Sequence, residues 1–112
     1  MLDIPPDYPQ SPVSLERDRA IQLAETFKLM GDPSRLRIIL ACTGAPISVN
    51  DIAAQLELTQ SLVSHHLRLL RAARLLRSER RGKQVFYSLA DSHVRRVIAD
   101  MSDHVMEMDE PS

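Results

Sequence analysis

A single cysteine, Cys42, leaves this chain without an internal disulfide and without any paired-thiol metal or redox motif. A reducing cytoplasm is the expected setting. No apolar run approaches the ~20 residues needed to span a bilayer. The opening MLDIPPDYPQSP lacks both the basic and the apolar block of a secretion signal, so neither membrane insertion nor export is expected. Tryptophan is absent and aromatics are 4% of the chain, which leaves Leu, Ile, Val and Ala to build the core. There is no phosphate-cradling glycine loop and no nucleophile paired with a base, which argues against an enzyme.

What is present fits one small folded domain of 112 residues, 44% hydrophobic and 26% charged. A chain this short buries a modest share of its surface, so a second copy would stabilise it and a dimer is expected. The net charge of -1 conceals a strong segregation. Between residues 65 and 89, Arg68, Arg71, Arg74, Arg77, Arg80, Arg81 and Lys83 face Glu79 alone; from residue 97 onward there are five acids and no Lys or Arg. The middle of the chain suits phosphates and its end suits cations.

Residues 1–13 carry four of the seven prolines and no apolar period, which predicts a flexible arm ahead of a domain over 14–108 and a short tail at 109–112. Leu15, Ala20, Leu23, Ala24, Phe27 and Met30 recur at helical spacing, with Gly31 as the stop. Asp32 and Pro33 then offer an N-cap and a first helical position for a second helix through Ile38 and Ile39 towards Thr43. Ser48 can cap a short third helix with Ile52, Ala53 and Leu56, and Thr59 a fourth. In that fourth helix Val63, Leu67 and Leu70 form an apolar stripe, widened by Leu62 and Leu69. The tight connection between the third and fourth helices reads as helix-turn-helix. Residues 75–80 and 84–89 around Arg81, Gly82 and Lys83 read as a β-hairpin, or wing. A last helix from Asp91 or Ser92 carries Val94, Val97, Ile98, Met101, Val105 and Met108 on one face. The expected fold is mainly α, with five helices, a two-stranded wing and a dimeric assembly.

On the fourth helix the stripe leaves Gln60, Ser61, Ser64, His65, Arg68 and Arg71 for solvent, all able to hydrogen-bond base edges or phosphates. Base reading is assigned to Gln60, Ser61, Ser64 and His65; Arg68 suits bases or backbone. Arg80, Arg81 and Lys83 at the wing tip would grip flanking phosphates of double-stranded DNA. Any one such face could be ordinary solvated surface, but a tight helix-turn-helix followed directly by a basic hairpin is a more specific combination. A winged-helix module for protein contacts is the alternative.

These residues resemble the ArsR/SmtB group of small metal-sensing repressors from about residue 14 to 107. The likeness rests on LMGDPSRLRI beginning at Leu29, Asp51-Ile52-Ala53, QSLVSHHLRLL beginning at Gln60, and RGKQVFY beginning at Arg81. The resemblance implies a homodimer built by the first and last helices, bound to a palindromic operator and released by an inducing ion. Asp91, His93, His104 and Glu107 then stand out as a donor set suited to tetrahedral Zn(II), with Co(II) or Ni(II) also compatible. His93 and His104 share a helical direction but lie roughly 16 Å apart along the axis, so no one ion joins them within a chain. Antiparallel packing of two last helices would bring Asp91 and His93 of one copy to His104 and Glu107 of the other.

Singly, each of the four has a plainer reading, Asp91 as an N-cap and the histidines as surface groups. The set as a whole resembles the last-helix zinc site of the SmtB-like members. Acids crowded at the negative end of the helix dipole add a reason for a cation there. Soft-metal or thiol sensing is not expected, because 47–51 has no cysteine and Cys42 suits a small core residue. A family member with another effector, or none, stays open. His65 and His66 point in different directions, which leaves His66 as a packing residue.

Overall fold

The structure, a computed structural model, describes residues 11–108. Most of the arm expected over 1–13 and all of the tail at 109–112 lie outside the described residues. Five helices and three strands follow in the order α1 Arg17–Met30, α2 Pro33–Ala41, β1 Ile47–Ser48, α3 Val49–Leu56, α4 Gln60–Ala72, β2 Leu76–Arg81, β3 Gln84–Leu89 and α5 Ser92–Met108.

Side-chain caps set the helix starts. Asp32 accepts the Arg35 N–H at 3.0 Å, Ser48 that of Asp51 at 3.2 Å, Thr59 that of Leu62 at 3.1 Å and Asp91 that of Val94 at 2.9 Å. Each bond satisfies one of the four N–H groups that a helix start leaves without a partner. Gly31 ends α1 without using its conformational freedom, since its φ is -75°. The break comes instead from Asp32-Pro33, which starts α2 afresh. Helix α2 ends at Ala41, capped by Cys42, two residues short of the expected Thr43.

Between α3 and α4 the turn is Glu57, Leu58 and Thr59, with Glu57 in the left-handed region at φ 56°. That conformation aims the Leu58 N–H at Ala53 O, 3.1 Å away, while the Leu58 side chain packs on the core. The tight turn thus holds α3 and α4 at a fixed angle. Val63, Leu67 and Leu70 of α4 are fully buried. Leu62 and Leu69 do not widen the stripe as expected; both are exposed, and His66 fills the remaining core-facing position.

The expected two-stranded wing is joined by a third strand. β3 lies between β1 and β2, all antiparallel, with Ile47 opposite Tyr87 and Arg81 opposite Gln84. Gly82 makes the hairpin turn at φ 63°, a conformation that side-chain-bearing residues adopt at a cost. Because β1 runs directly into α3, the wing root is tied to the helix-turn-helix. The core gathers Ile38, Ile39, Cys42, Ile52, Val63, Leu67 and Leu70 with Leu75 ahead of β2, Leu76 and Leu89 from the sheet and Ile98 from α5.

Helices α1 and α5 contribute little to this core. The expected apolar faces exist, yet only Met30 of α1 and Ile98 of α5 are buried. Phe27 is 51% exposed, Met101 55% and Val105 54%. The radius of gyration is 16.6 Å, against about 13 Å for a compact chain of this length.

Candidate nucleic-acid interface and metal ligands

The face of α4 turned away from the core presents Gln60, Ser61, His65 and Arg68 exposed and Ser64 half-buried. At 100° per residue these five lie on one side of the helix, so their polar ends address the same solvent region. Thr59 caps the same helix end, which leaves remaining N–H groups and the positive end of the dipole directed outward. Arg80, Arg81 and Lys83 are exposed on the wing. Arg81 is held from two sides: its guanidinium lies 3.2 Å from Glu79 Oε2 and 5.2 Å from the centre of the Phe86 ring. The exposed ion pair is weak and readily exchanged for a phosphate. Among the described residues Arg68 and Arg71 are in no ion pair.

His66, 8% exposed, anchors the underside of α4, and its Nδ1 has no hydrogen-bond partner among the described residues. Burial pushes its pKa down; Asp32 opposes this, while Arg35 and His65 add to it. The unfolded chain therefore takes up a proton as the pH falls through ~6.5, whereas the folded chain resists, so stability held above that pH declines below it. Thermal melts should lose more Tm between pH 7.5 and 5.5 in the natural protein than in His66→Asn; equal losses would refute this. Cys42 is buried as expected, and burial raises its thiol pKa to about 12, which makes it an unreactive core residue.

The four candidate metal donors divide into two pairs. Asp91 Oδ1 caps α5 and also lies 3.8 Å from His93 Nδ1, at the helix start. His104 and Glu107 lie one turn apart near the other end of the same unbroken helix, both exposed. Among the described residues no cluster of three or more His, Cys, Asp or Glu forms within one protomer. The donor types suit zinc: two imidazoles and two carboxylates, with Asp91 Oδ2 not engaged by the cap. No helix among the described residues is long and apolar enough to cross a membrane.

Two residues beside the α4 face and the wing escaped the sequence reading. Tyr87 on β3 lines a cleft against α4 with Ser64, Arg68, Arg71 and Ala72, and Asn50 at the start of α3 lines another with Lys83 and Gln84. Alternation on β3 could have pointed to Tyr87, but only the sheet's position against α4 reveals what it faces.

Residues 32–78 match the family model described as "Bacterial regulatory protein, arsR family". A transcriptional repressor SmtB homolog from Synechocystis is 43% identical over 98 residues, covering 88% of this chain and 74% of that protein. The transcriptional regulator NmtR of Mycobacterium tuberculosis is 37% identical over 90 residues, covering 80% and 75%. HlyU from Vibrio cholerae superposes with a TM-score of 0.71 at 30% identity, over 78% of this chain and 94% of its own. The homodimeric winged helix-turn-helix DNA-binding domain Mb0332 from Mycobacterium bovis gives a TM-score of 0.76 at 24% identity, over 89% and 94%. With the capped helix-turn-helix, the basic wing and relatives at this identity, the chain belongs to the ArsR family of bacterial regulatory proteins, DNA-binding transcriptional regulators and not enzymes.

Proposed function

We propose that the protein is a cytoplasmic repressor that binds a palindromic operator as a homodimer and leaves it when Zn(II) binds between the two α5 helices. The observation that carries the DNA-binding half is the exposed polar face of α4, with Gln60, Ser61, Ser64, His65 and Arg68, together with the exposed Arg80, Arg81 and Lys83 of the wing, where Glu79 is the only acid of the hairpin. Gln60, Ser61, Ser64 and His65 would read base edges in the major groove, while the wing cations hold the backbone. Two such surfaces related by a two-fold axis would meet half-sites about 34 Å apart. The free apolar faces of α1 and α5 support the dimer, since leaving Phe27, Met101 and Val105 in water is unfavourable.

His104 and Glu107 of one protomer, with Asp91 and His93 of the other, would hold the ion. The rise of α5 separates the two pairs too far to share an ion within one chain. When bound, zinc supplies coordinate bonds to both protomers, and Co(II) or Ni(II) could occupy the same donors. Because α5 packs against β3, a change in how two α5 helices sit would alter the placement of the paired reading surfaces. In Cys42 this protein has one unreactive thiol, which favours hard or borderline donors over a thiolate sensor.

Fluorescence anisotropy on a duplex from upstream of the protein's own coding sequence tests the DNA-binding reading. Three wing cations from each of two protomers predict a slope of log affinity against log salt on the order of -5. A flat salt dependence would favour a protein-contact module and end this reading.

A further inference from the structure

We propose that the cleft between the second half of α4 and strand β3 seats a phosphodiester of the DNA backbone, which makes Arg71 and Tyr87 DNA-binding residues beside those on the reading face. The inference rests on the DNA-binding reading above and names a contact within it.

The cleft is lined by Ser64, Arg68, Arg71, Ala72 and Tyr87. Its volume is about 440 Å³, against roughly 30 Å³ for one water in the liquid, so it has room for a sugar–phosphate unit. Ser64, Arg68 and Arg71 follow at i, i+4 and i+7, on one stripe of α4 that continues the row begun by Gln60 and Ser61. From Gln60 to Arg71 the helix rises about 16 Å. A helix whose first turns enter the major groove has by then climbed to the groove wall, which is backbone. The opposite wall is β3, whose hairpin reaches towards the neighbouring groove. Whatever lies between a helix in one groove and a wing at the next is the phosphate strand separating them.

The chemistry of the lining matches. No acid lines the cleft, and neither Arg68 nor Arg71 is neutralised by an ion pair among the described residues. A planar guanidinium offers two parallel N–H groups to a phosphate, and the hydroxyl of Tyr87 can donate one more hydrogen bond. Tyr87 is firmly placed: it sits on the central strand, opposite Ile47 on one side and Ser78 on the other, with its ring packed on the core. Its ring is thus held by the strand and the core beside the cleft, so a hydrogen bond from its hydroxyl would cost little side-chain freedom.

The test compares full-length natural protein with Arg71→Gln, Arg71→Lys and Tyr87→Phe on operator and unrelated duplexes across a salt series, with circular dichroism melts to confirm folding. Arg71→Gln should weaken both duplexes by the same factor and reduce the size of the salt slope by about 2 per dimer, one lost phosphate contact in each protomer. Arg71→Lys should keep the slope. Tyr87→Phe should weaken both duplexes about 3- to 10-fold with the slope unchanged, as expected for a neutral hydrogen bond. A methylphosphonate scan should find one position per half-site where a neutral linkage weakens the natural protein and leaves Arg71→Gln unaffected.

A natural-protein slope in Arg71→Gln, or a loss confined to the operator, would overturn the proposal. So would tight binding of inorganic phosphate to the DNA-free protein that Arg71→Gln removes, which would assign the cleft to a free anion. Should the natural protein itself show no salt-dependent DNA binding, the DNA-binding reading falls as well; steep binding with an unchanged Arg71→Gln removes the cleft alone.

Discussion

Introducing Met101→Glu and Val105→Glu together should turn the protein into a folded monomer and lower its operator affinity by more than ~100-fold, the scale on which joined binding modules exceed single ones. The two side chains lie one turn apart on α5, both more than half exposed in the isolated protomer. Neither belongs to the protomer's own core, to which α5 contributes Ile98 and the adjoining Val94. Carboxylates at 101 and 105 therefore leave the fold intact, while burying them against a second apolar helix is prohibitive unless they neutralise. Sedimentation equilibrium reads the mass, and anisotropy reads the affinity. A dimer of natural strength in the double variant would show that α5 is not the seam.

His104→Ala is expected to erase the response to zinc while leaving zinc-free operator binding within about twofold of natural. Coupling of ~1–3 kcal/mol between effector and DNA corresponds to roughly a 5- to 150-fold change in affinity, and the variant should show a ratio near one. His104 is exposed, and Glu107 one turn on is placed to share an ion with it on the same protomer. Removing the imidazole strips half of one donor pair from each of two sites, yet touches no residue of α4 or the wing. Operator affinity measured with and without zinc decides it. A full zinc response in His104→Ala would place the effector elsewhere.

The parts of the fold that were legible from sequence are those where one residue type has one local job. Asp32, Ser48, Thr59 and Asp91 sit at helix starts because each oxygen takes a stranded N–H, and all four act as caps in the structure. The α4 stripe of Val63, Leu67 and Leu70 was likewise readable from helical period, and the packing place of His66 from its pointing away from His65. Strand β1 was not, because two residues are too few to show alternation, and Ile47-Ser48 becomes a strand only by pairing with β3.

Periodicity also marks apolar faces without saying what covers them. It put Leu62 and Leu69 with the core, although they fall on the flank that α4 leaves in solvent. It found the stripes of α1 and α5 equally well, and the structure adds that their outer parts stay about half exposed. For the metal donors the sequence supplied the types and the separation along α5. Tyr87 stayed hidden because its significance depends on which helix the sheet lies against.

The most direct test of the regulatory account is a zinc titration of the purified protein bound to its operator duplex, followed by anisotropy with metal content measured in parallel. The account predicts release of the DNA that is complete near two zinc ions per dimer, together with a matching loss of zinc affinity when DNA is present, as linkage requires. An operator complex that holds two zinc ions per dimer and binds as tightly as the metal-free protein would contradict it.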